Sequence, residues 1–262
     1  MASKPPAPEV GAALSACIIT LNEADRIADC IRSLSCCDEI LVVDSHSTDR
    51  TREIAASLGA RVIERDWPGY RSQKQFAVEA AQHDWVLIID ADERVSAPLR
   101  EQISQWRAHG FGHYAGFSCN RATEYFGRFL RHGNAYPDRG VRLFDRRRGG
   151  LRGYEIHESI GVVGPVRHLS GDLEHFSYRS FSDQQQRLQR YARLMAEAMH
   201  AAGRKARYGQ LLFNPGWRFF RGYVLRLGCL DGWRGLVHAW MEAQYVREKY
   251  LRLFLLRRGW PD

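Results

Sequence analysis

Two aspartates directly follow a run of apolar residues in the stretch WVLIIDADERV, residues 85–95. The run from Trp85 to Ile89 predicts a buried strand, and Asp90 and Asp92 end it with one residue between them. Residues two apart at the end of a strand point the same way, so both carboxylates can face one cavity. Such a pair is costly unless a cation, a proton or a hydrogen-bond donor intervenes. The pair therefore predicts a site for a divalent cation or for sugar hydroxyls. The alternative is an Asp-rich turn that caps the next helix.

The first hundred residues alternate between apolar runs and amphipathic stretches, which is the pattern of successive strands and helices. Near-continuous apolar strands predict an α/β fold with a mostly parallel sheet flanked by helices. Ligands of such sheets bind beyond the carboxyl ends of the strands. We predict strands over 14–20, 39–44, 60–65 and 85–90, and helices over 24–34, 47–59, 70–81 and 97–106.

Polar residues follow the other predicted strands as well. Thr20, Asn22 and Glu23 lie at the end of the first strand, and Asp44 ends the second. Asp44 could accept hydrogen bonds from a ribose or a base. The alternative is that it caps the following helix, although the serine and threonine after it are better placed for that. The sequence contains neither GxGxxG nor GxxxxGK[ST], which disfavours a dinucleotide-dependent dehydrogenase and a P-loop NTPase.

The pattern changes after residue 110, where short β-like runs with many glycines and aromatic residues predict a mixed extension with antiparallel pieces. One long helix is predicted over 180–203. We therefore predict a disordered N-terminus over 1–12, a catalytic domain over 13–180 and a helical, basic, membrane-associating region over 181–262.

Charge is distributed unevenly along the chain. Lys and Arg outnumber Asp and Glu by 38 to 30, and residues 204–262, with 12 basic and 4 acidic residues, carry the whole excess of +8. This tail mixes arginine with tryptophan, phenylalanine and leucine, and the arginines interrupt it too often for a bilayer span. We interpret it as an amphipathic element on an anionic membrane surface. The alternatives are a helical hairpin packed on the body and a nucleic-acid-binding surface. The tail is too apolar for the latter, so we expect no nucleic-acid partner.

The cysteines and the N-terminal apolar run bear on the cellular compartment. The six cysteines form no CxxC pair, so we predict reduced thiols in a cytoplasmic protein. The run GAALSACIITL has no basic leader and meets Asn22 and Glu23 at once, so we expect a first strand there and no signal peptide.

Three strings, CIITLNEADRI, EILVVDSHSTDRT and WVLIIDADERV, resemble in order and spacing the GT-A-fold glycosyltransferases of family 2. The resemblance covers residues 14–180 and implies a nucleotide-diphospho-sugar transferase fold. It also implies an inverting reaction, a nucleotide-sugar donor (most often a UDP-sugar) and Mg²⁺ or Mn²⁺ as cofactor. The runs YRSQKQFA and GYEIHESI, with the basic tail, resemble the heptose β-1,4-glucosyltransferases of the lipopolysaccharide inner core. That subgroup implies a lipid-linked saccharide acceptor and a peripheral location on the inner face of the cytoplasmic membrane. The Gln-x-x-Arg-Trp string of processive members is absent, which favours transfer of one sugar.

The resemblance implies roles for the residues at the strand ends. Thr20, Asn22 and Glu23 would line the nucleotide pocket, and Asp44 would contact the nucleoside. Asp90 and Asp92 would hold the donor and the metal, respectively.

Many relatives carry an Arg-Asn pair in the third helix, where this chain reads RSQK. Either Lys74 or Arg71 would therefore serve the donor phosphates or sugar. A general base must lie downstream of the aspartate pair, and we expect Glu158 because the resemblance puts a His-Glu step there, with Glu155 as the alternative. Further candidates are His157 and His175 as metal ligands, and Arg139 and Arg142 as contacts to an anionic acceptor or a phosphate.

The sequence is also compatible with two other functions. One is a GT-A transferase that forms a polyprenyl-phosphate sugar, whose phosphate acceptor would require basic residues where we place the base. The other is a non-catalytic membrane protein that binds nucleotide sugars.

Overall fold

The structure is a computed structural model that describes residues 11–153 and 158–260. The chain forms two compact units: one runs to Arg121 and resumes over Arg139–His175, and the other combines Ala122–Asp138 with the residues from Phe176 onward. The sequence predicted one uninterrupted catalytic domain over 13–180, followed by the region 181–262. The stretch Ala122–Asp138 lies with the C-terminal unit because its backbone N–H groups bond to the carboxylate of Asp231. Apart from residues 11 and 12, the predicted disordered segment 1–12 lies outside the described residues.

The described strands form one large sheet and one separate hairpin. The strands are β1 (Leu14–Thr20), β2 (Glu39–Asp44), β3 (Arg61–Glu64), β4 (Trp85–Asp90), β5 (Glu93–Val95), β6 (Gly116–Tyr125), β7 (Arg128–Phe129), β8 (Asp138–Asp145), β9 (Gly149–Gly153), β10 (Glu158–Val162) and β11 (Val166–His175). The sheet order is β3-β2-β1-β4-β8-β6-β11-β5, β7 pairs with β6, and β9 pairs with β10.

The first four strands are parallel, and the pairs β4–β8 and β5–β11 are antiparallel. This arrangement confirms the predicted α/β fold, and the four predicted strands lie where the apolar runs placed them. The helices are α1 (Ile27–Arg32), α2 (Thr51–Ser57), α3 (Tyr70–Ala80), α4 (Ala97–Ala108), α5 (Phe181–Ala201), α6 (Tyr208–Phe220) and α7 (Gly232–Leu256).

Helices α1 and α2 begin later than the sequence predicted, by three and four residues. In both places the chain first forms a loop beyond a strand end, and Asn22 and His46 take positive φ angles of 55° and 61°. These loops use residues that the periodicity had assigned to helices.

Both faces of the parallel sheet are buried. Along β1, Leu14 and Ile18 belong to one apolar cluster, whereas Cys17 and Ile19 belong to the cluster on the other face. Helix α1 covers the first cluster and α3 the second. Because side chains alternate between the faces of a strand, burial on both faces requires the continuous apolar strands that the sequence shows.

The C-terminal unit is built mainly from α5, α6 and α7. Between α6 and α7 lie a π-helical turn, Arg221–Leu225, and a 3₁₀ turn, Gly228–Asp231. A Cβ at Gly235 of α7 would collide with the carbonyl oxygen of Gly228, so this close approach requires glycine. In the part of the chain that the structure describes, no helix combines the length and the apolar character needed to cross a bilayer.

Candidate active site

The carboxyl ends of the parallel strands bring the predicted polar residues together. Strand β1 lies between β2 and β4, with Thr20 opposite Asp44 and Ile19 opposite Asp90. The order of the strands reverses at β1, and such a switch point is where sheets of this kind bind ligands. The hydroxyl of Thr20 is buried here and has no hydrogen-bond partner among the described residues.

Lys74 connects two of the predicted site residues. Its Nζ lies 2.8 Å from Oδ1 of Asp90 and 2.8 Å from Oε1 of Glu158. Lys74 is buried because it lies on the face of α3 that packs against the sheet. The sequence left open whether Lys74 or Arg71 serves the site, and the structure places Lys74 between the two carboxylates. Arg71 lies one turn earlier, in the first turn of α3, and is partly buried.

The charges of this cluster stabilise one another. Burial by itself would lower the pKa of Lys74, but the carboxylates of Asp90 and Glu158 outweigh it and raise that pKa. Burial would likewise raise the pKa of Asp90, but the positive charges of Lys74 and Arg142 hold that pKa well below its usual range. At neutral pH the cluster is therefore an ammonium beside an ionised Asp90.

Asp92 has different neighbours from Asp90. Its Oδ2 lies 3.5 Å from Nε2 of His175 and 3.8 Å from Nη1 of Arg26. The side chains of Asp92 and His175 are each 14% exposed, so both are largely buried. The two aspartates thus differ in their neighbours: Asp90 pairs with a lysine, whereas Asp92 lies beside an imidazole.

The metal ligands predicted from the sequence are partly brought together. Asp92 and His175 are neighbours, whereas His157, and with it the alternative base Glu155, lies outside the described residues. Over 11–153 and 158–260, no group of three or more His, Cys, Asp and Glu side chains is arranged to hold a metal.

Arg26 is a site residue that the sequence analysis missed. It is 8% exposed, and its Nη1 has no hydrogen-bond partner in the described part of the chain. The same atom lies 3.9 Å from Oε2 of Glu23 and 3.8 Å from Asp92. A buried guanidinium with an unused N–H can donate to an anionic ligand. In the sequence Arg26 directly follows Asp25 and precedes an amphipathic stretch, a pattern that is ordinary at the start of a helix.

Glu93 is the second missed residue, and it positions Asp90. Its side chain is fully buried, and Oε2 accepts a hydrogen bond of 2.9 Å from the backbone N–H of Asp90. Its Oε1 accepts one of 3.2 Å from Nη2 of Arg142. Arg142, which the sequence suggested for an anionic acceptor, thus contacts Glu93. Arg139 is exposed on β8. Strand β5, which carries Glu93, is too short to give a periodic signal.

The remaining predicted residues organise the loops at the rim. Asp44 is fully buried, and its carboxylate accepts hydrogen bonds from the backbone N–H and the hydroxyl of Ser47, at 2.7 and 2.5 Å. The side-chain oxygen of Asn22 accepts a hydrogen bond of 2.8 Å from the N–H of Thr48. The N–H of Glu23 donates to Oγ1 of Thr51 at 2.9 Å. These contacts join the loops after β1 and β2, and a nucleoside contact for Asp44 stays a prediction.

Comparisons with known proteins agree with this geometry. Residues 15–168 match the model of glycosyl transferase family 2. LpsC of Rhizobium meliloti (strain 1021), a lipopolysaccharide core biosynthesis glycosyltransferase, is 32% identical over 253 residues, which cover 90% of this chain and 93% of that protein. An uncharacterized glycosyltransferase of Rickettsia typhi is 30% identical over 255 residues, covering 93% of this chain and 86% of that protein.

Two solved structures are also similar. S. aureus TarS in complex with UDP-GlcNAc is 15% identical, with a TM-score of 0.49, over 95% of this chain and 92% of that chain. Glucosyl-3-phosphoglycerate synthase from Mycobacterium tuberculosis, in complex with Mn²⁺, UDP and glucosyl-3-phosphoglycerate, is 20% identical, with a TM-score of 0.46, over 74% of this chain and 81% of that chain.

The family match spans more than half of the chain and includes β1, β2 and β4, whose ends carry the site. The parallel strands with flanking helices form the GT-A fold that the resemblance implied. The chain therefore belongs to glycosyl transferase family 2.

Proposed function

We propose that this glycosyltransferase transfers one sugar, with inversion, from a UDP-sugar to a lipid-linked saccharide acceptor in lipopolysaccharide core biosynthesis. The similarity to LpsC over nine-tenths of the chain supports the pathway, since that relative is described as a core biosynthesis glycosyltransferase. The acceptor would place the reaction on the inner face of the cytoplasmic membrane.

The main support for the proposal is that Lys74 forms two ion pairs at once. One ammonium lies 2.8 Å from an oxygen of Asp90, at the strand end where the donor would bind, and 2.8 Å from an oxygen of Glu158. The carboxylate proposed as the base is thereby held beside the donor site. Such closeness is required, because the acceptor oxygen must reach the anomeric carbon while its proton reaches the base.

In this proposal Glu158 accepts the proton of the acceptor hydroxyl as that oxygen attacks the anomeric carbon. The new glycosidic bond forms on one face of the sugar while the bond to the diphosphate breaks on the other. The electron pair of the broken bond leaves with the nucleoside diphosphate. Arg26 can donate its unused N–H to a diphosphate oxygen, and Lys74 can move from Glu158 towards the same charge.

The residues at the rim fit a divalent cation that is shared with the donor. Mg²⁺ usually takes one or two carboxylates together with substrate phosphates, and Asp92 offers one carboxylate two residues after Asp90. His175 can join it as a ligand or orient its carboxylate through the 3.5 Å contact. Mg²⁺ or Mn²⁺ bound there would neutralise charge on the leaving diphosphate.

An acidic residue on the acceptor side disfavours the alternative of a polyprenyl-phosphate acceptor. A phosphate carries no hydroxyl proton to remove at neutral pH, and Glu158 would repel it. The non-catalytic alternative is tested by product formation, since a protein that only binds the donor would transfer no sugar.

The first test is calorimetric titration of UDP and GDP, each with and without Mn²⁺. We expect UDP binding that strengthens with Mn²⁺, and we expect Asp92→Asn to lose the metal dependence. The matched control is Asp84→Asn, an acid just before β4 and so at the end of that strand away from the site, which should titrate like the wild type. Failure of both nucleotides to bind a folded protein would overturn the proposal, and binding of GDP alone would correct the donor.

A further inference from the structure

Exposed apolar side chains are concentrated in one part of the C-terminal unit. Of the twenty large apolar side chains that are exposed in the described residues, twelve lie between Tyr208 and Trp240. Leu212 and Phe213 are 71% and 74% exposed, and Trp240 is 60% exposed. A soluble protein rarely leaves a contiguous apolar patch of this kind without a binding partner.

These residues form stripes along two helices that contact each other. Phe213, Trp217 and Phe220 recur at spacings of four and three along α6, and Trp233 and Trp240 lie two turns apart on α7. The ring centroid of Trp240 lies 6.5 Å from that of Phe219, the neighbour of Phe220 on α6, so α6 and α7 are in contact beside these side chains. We define the C-terminal apolar surface as Phe213, Trp217, Phe220, Trp233, Leu236 and Trp240.

The chain segment that carries most of this surface is strongly basic. Residues 204–240 contain seven basic residues and a single acid, Asp231. Asp231 is engaged, since its carboxylate accepts the N–H of His132 at 2.9 Å and lies 3.2 Å from Nδ1 of the same residue. Arg204, Lys205 and Arg226 are exposed. Two copies of such a surface would repel each other, whereas an anionic surface would attract it.

The kind of apolar residue also points to a bilayer. Three of the six residues that define the surface are tryptophans, whose apolar ring and polar N–H suit the boundary between lipid chains and headgroups. Arginine and lysine near such a surface add attraction to anionic headgroups.

We propose that the C-terminal apolar surface docks on a bilayer that contains anionic phospholipid, with its aromatic side chains at the headgroup boundary and the basic residues on the headgroups. The surface would hold the enzyme where a lipid-linked acceptor lies. That purpose rests on the function proposed above, whereas the docking itself can be tested without any sugar donor.

The test is sedimentation of the full chain with vesicles of phosphatidylcholine alone or mixed with phosphatidylglycerol. We expect the wild type to sediment with the mixed vesicles, less so as salt rises. The double variant Trp217→Ser/Trp240→Ser should bind them roughly tenfold or more weakly. The control Trp67→Ser/Phe181→Ser removes two aromatic rings, 46% and 48% exposed, that lie outside the surface, and should bind like the wild type. Lys205→Gln/Arg226→Gln should lose the preference for the anionic lipid.

Three results would overturn the proposal: no sedimentation of the wild type with either vesicle, equal weakening in the control, or a dimer that the tryptophan variant converts to a monomer without any change in vesicle binding. The last result would assign the surface to contact between two copies, and light scattering would detect it. UDP titration of the tryptophan variant separates the two proposals. If docking fails, donor binding can still persist, and if donor binding fails, docking can still persist.

Discussion

The site at the strand ends and the C-terminal apolar surface differ in what they bury. The site buries charged side chains, whereas the surface exposes apolar ones. In the site, Lys74, Asp90 and Glu93 are largely removed from water and each has an oppositely charged neighbour. On the apolar surface, tryptophan and phenylalanine are exposed, and basic residues such as Arg226 lie in solvent. The paired charges of the site stabilise one another without a ligand, whereas exposed apolar rings are unfavourable in water.

This difference in burial predicts which substitutions affect the stability of the fold and which affect only its function. A buried charge that loses its partner destabilises the fold, because its desolvation is no longer compensated. An exposed tryptophan contributes little to the fold, because its surroundings hardly change on unfolding. Substitutions in the site should therefore alter both activity and stability, whereas substitutions on the apolar surface should alter only binding.

The largest effect is expected for Glu158→Gln. The amide keeps the size of the side chain but cannot accept a proton, and loss of a general base typically lowers the rate about 10²- to 10⁴-fold. UDP binding should change little, since the proposed base contacts the acceptor. The measurement combines initial rates of sugar transfer with calorimetry of UDP.

The matched control for that prediction is Glu155→Gln, the alternative base three residues earlier. We expect it to keep most of the transfer rate. If Glu155→Gln lost the activity and Glu158→Gln kept it, the roles of the two residues would be exchanged, and Lys74 would pair with a carboxylate that takes no part in the proton transfer.

The sequence predicted the parallel core well and the rest less well, for physical reasons. Continuous apolar runs such as 14–20 and 85–90 have only one favourable arrangement, a strand buried on both faces. Their polar ends then converge by topology, which is why Asp90, Asp92 and Thr20 could be predicted together. Strand β5 and the division at Ala122–Asp138 depend on pairing between distant segments, which leaves no periodic signal in a short stretch.

The partners of each charge could not be predicted from the sequence. The sequence analysis assigned Asp90 and Asp92 separate roles but did not identify their neighbours: Lys74 pairs with Asp90 and Glu158, and His175 lies beside Asp92. Lys74 comes from α3 and His175 from the end of β11, so their positions depend on how α3 and the strand pair β5–β11 pack. The sequence analysis missed Arg26 and Glu93 because only their burial distinguishes them from ordinary surface charges. Burial depends on the assembled fold, so it could not be predicted from these short stretches of sequence.

A second prediction concerns the stability of the buried ion pairs. Lys74→Met removes the ammonium and leaves Asp90 and Glu158 without their shared partner, which should cost about 3–5 kcal/mol of unfolding free energy. Urea unfolding measures this cost. The control is Arg32→Met, which breaks an exposed ion pair of 3.3 Å with Asp29 and should cost less than about 1 kcal/mol. Equal costs for the two variants would mean that the site is solvated in solution.

A third prediction is the pH dependence that Asp90 contributes. Because its pKa is lowered in the folded state, the unfolded chain binds the proton first as the pH falls. The stabilisation is therefore present above the unfolded pKa of about 3.9 and is lost as the pH falls towards the folded value. Asp90→Asn should reduce the slope of unfolding free energy against pH in that range by up to about 1.4 kcal/mol per pH unit. The control is Asp66→Asn, which makes the same substitution at a fully exposed carboxylate.

The smallest effect is expected on the apolar surface. Trp217→Ser replaces a side chain that is 57% exposed, so the unfolding free energy should change by no more than about 0.5 kcal/mol. The contrasting variant is Phe117→Ser, which removes a ring that is 1% exposed within the core and should cost several-fold more. Urea unfolding of both variants compares the two regions directly. If Trp217→Ser were as destabilising as the core variant, the tryptophan would be part of the fold, and its exposure could no longer be attributed to a bilayer.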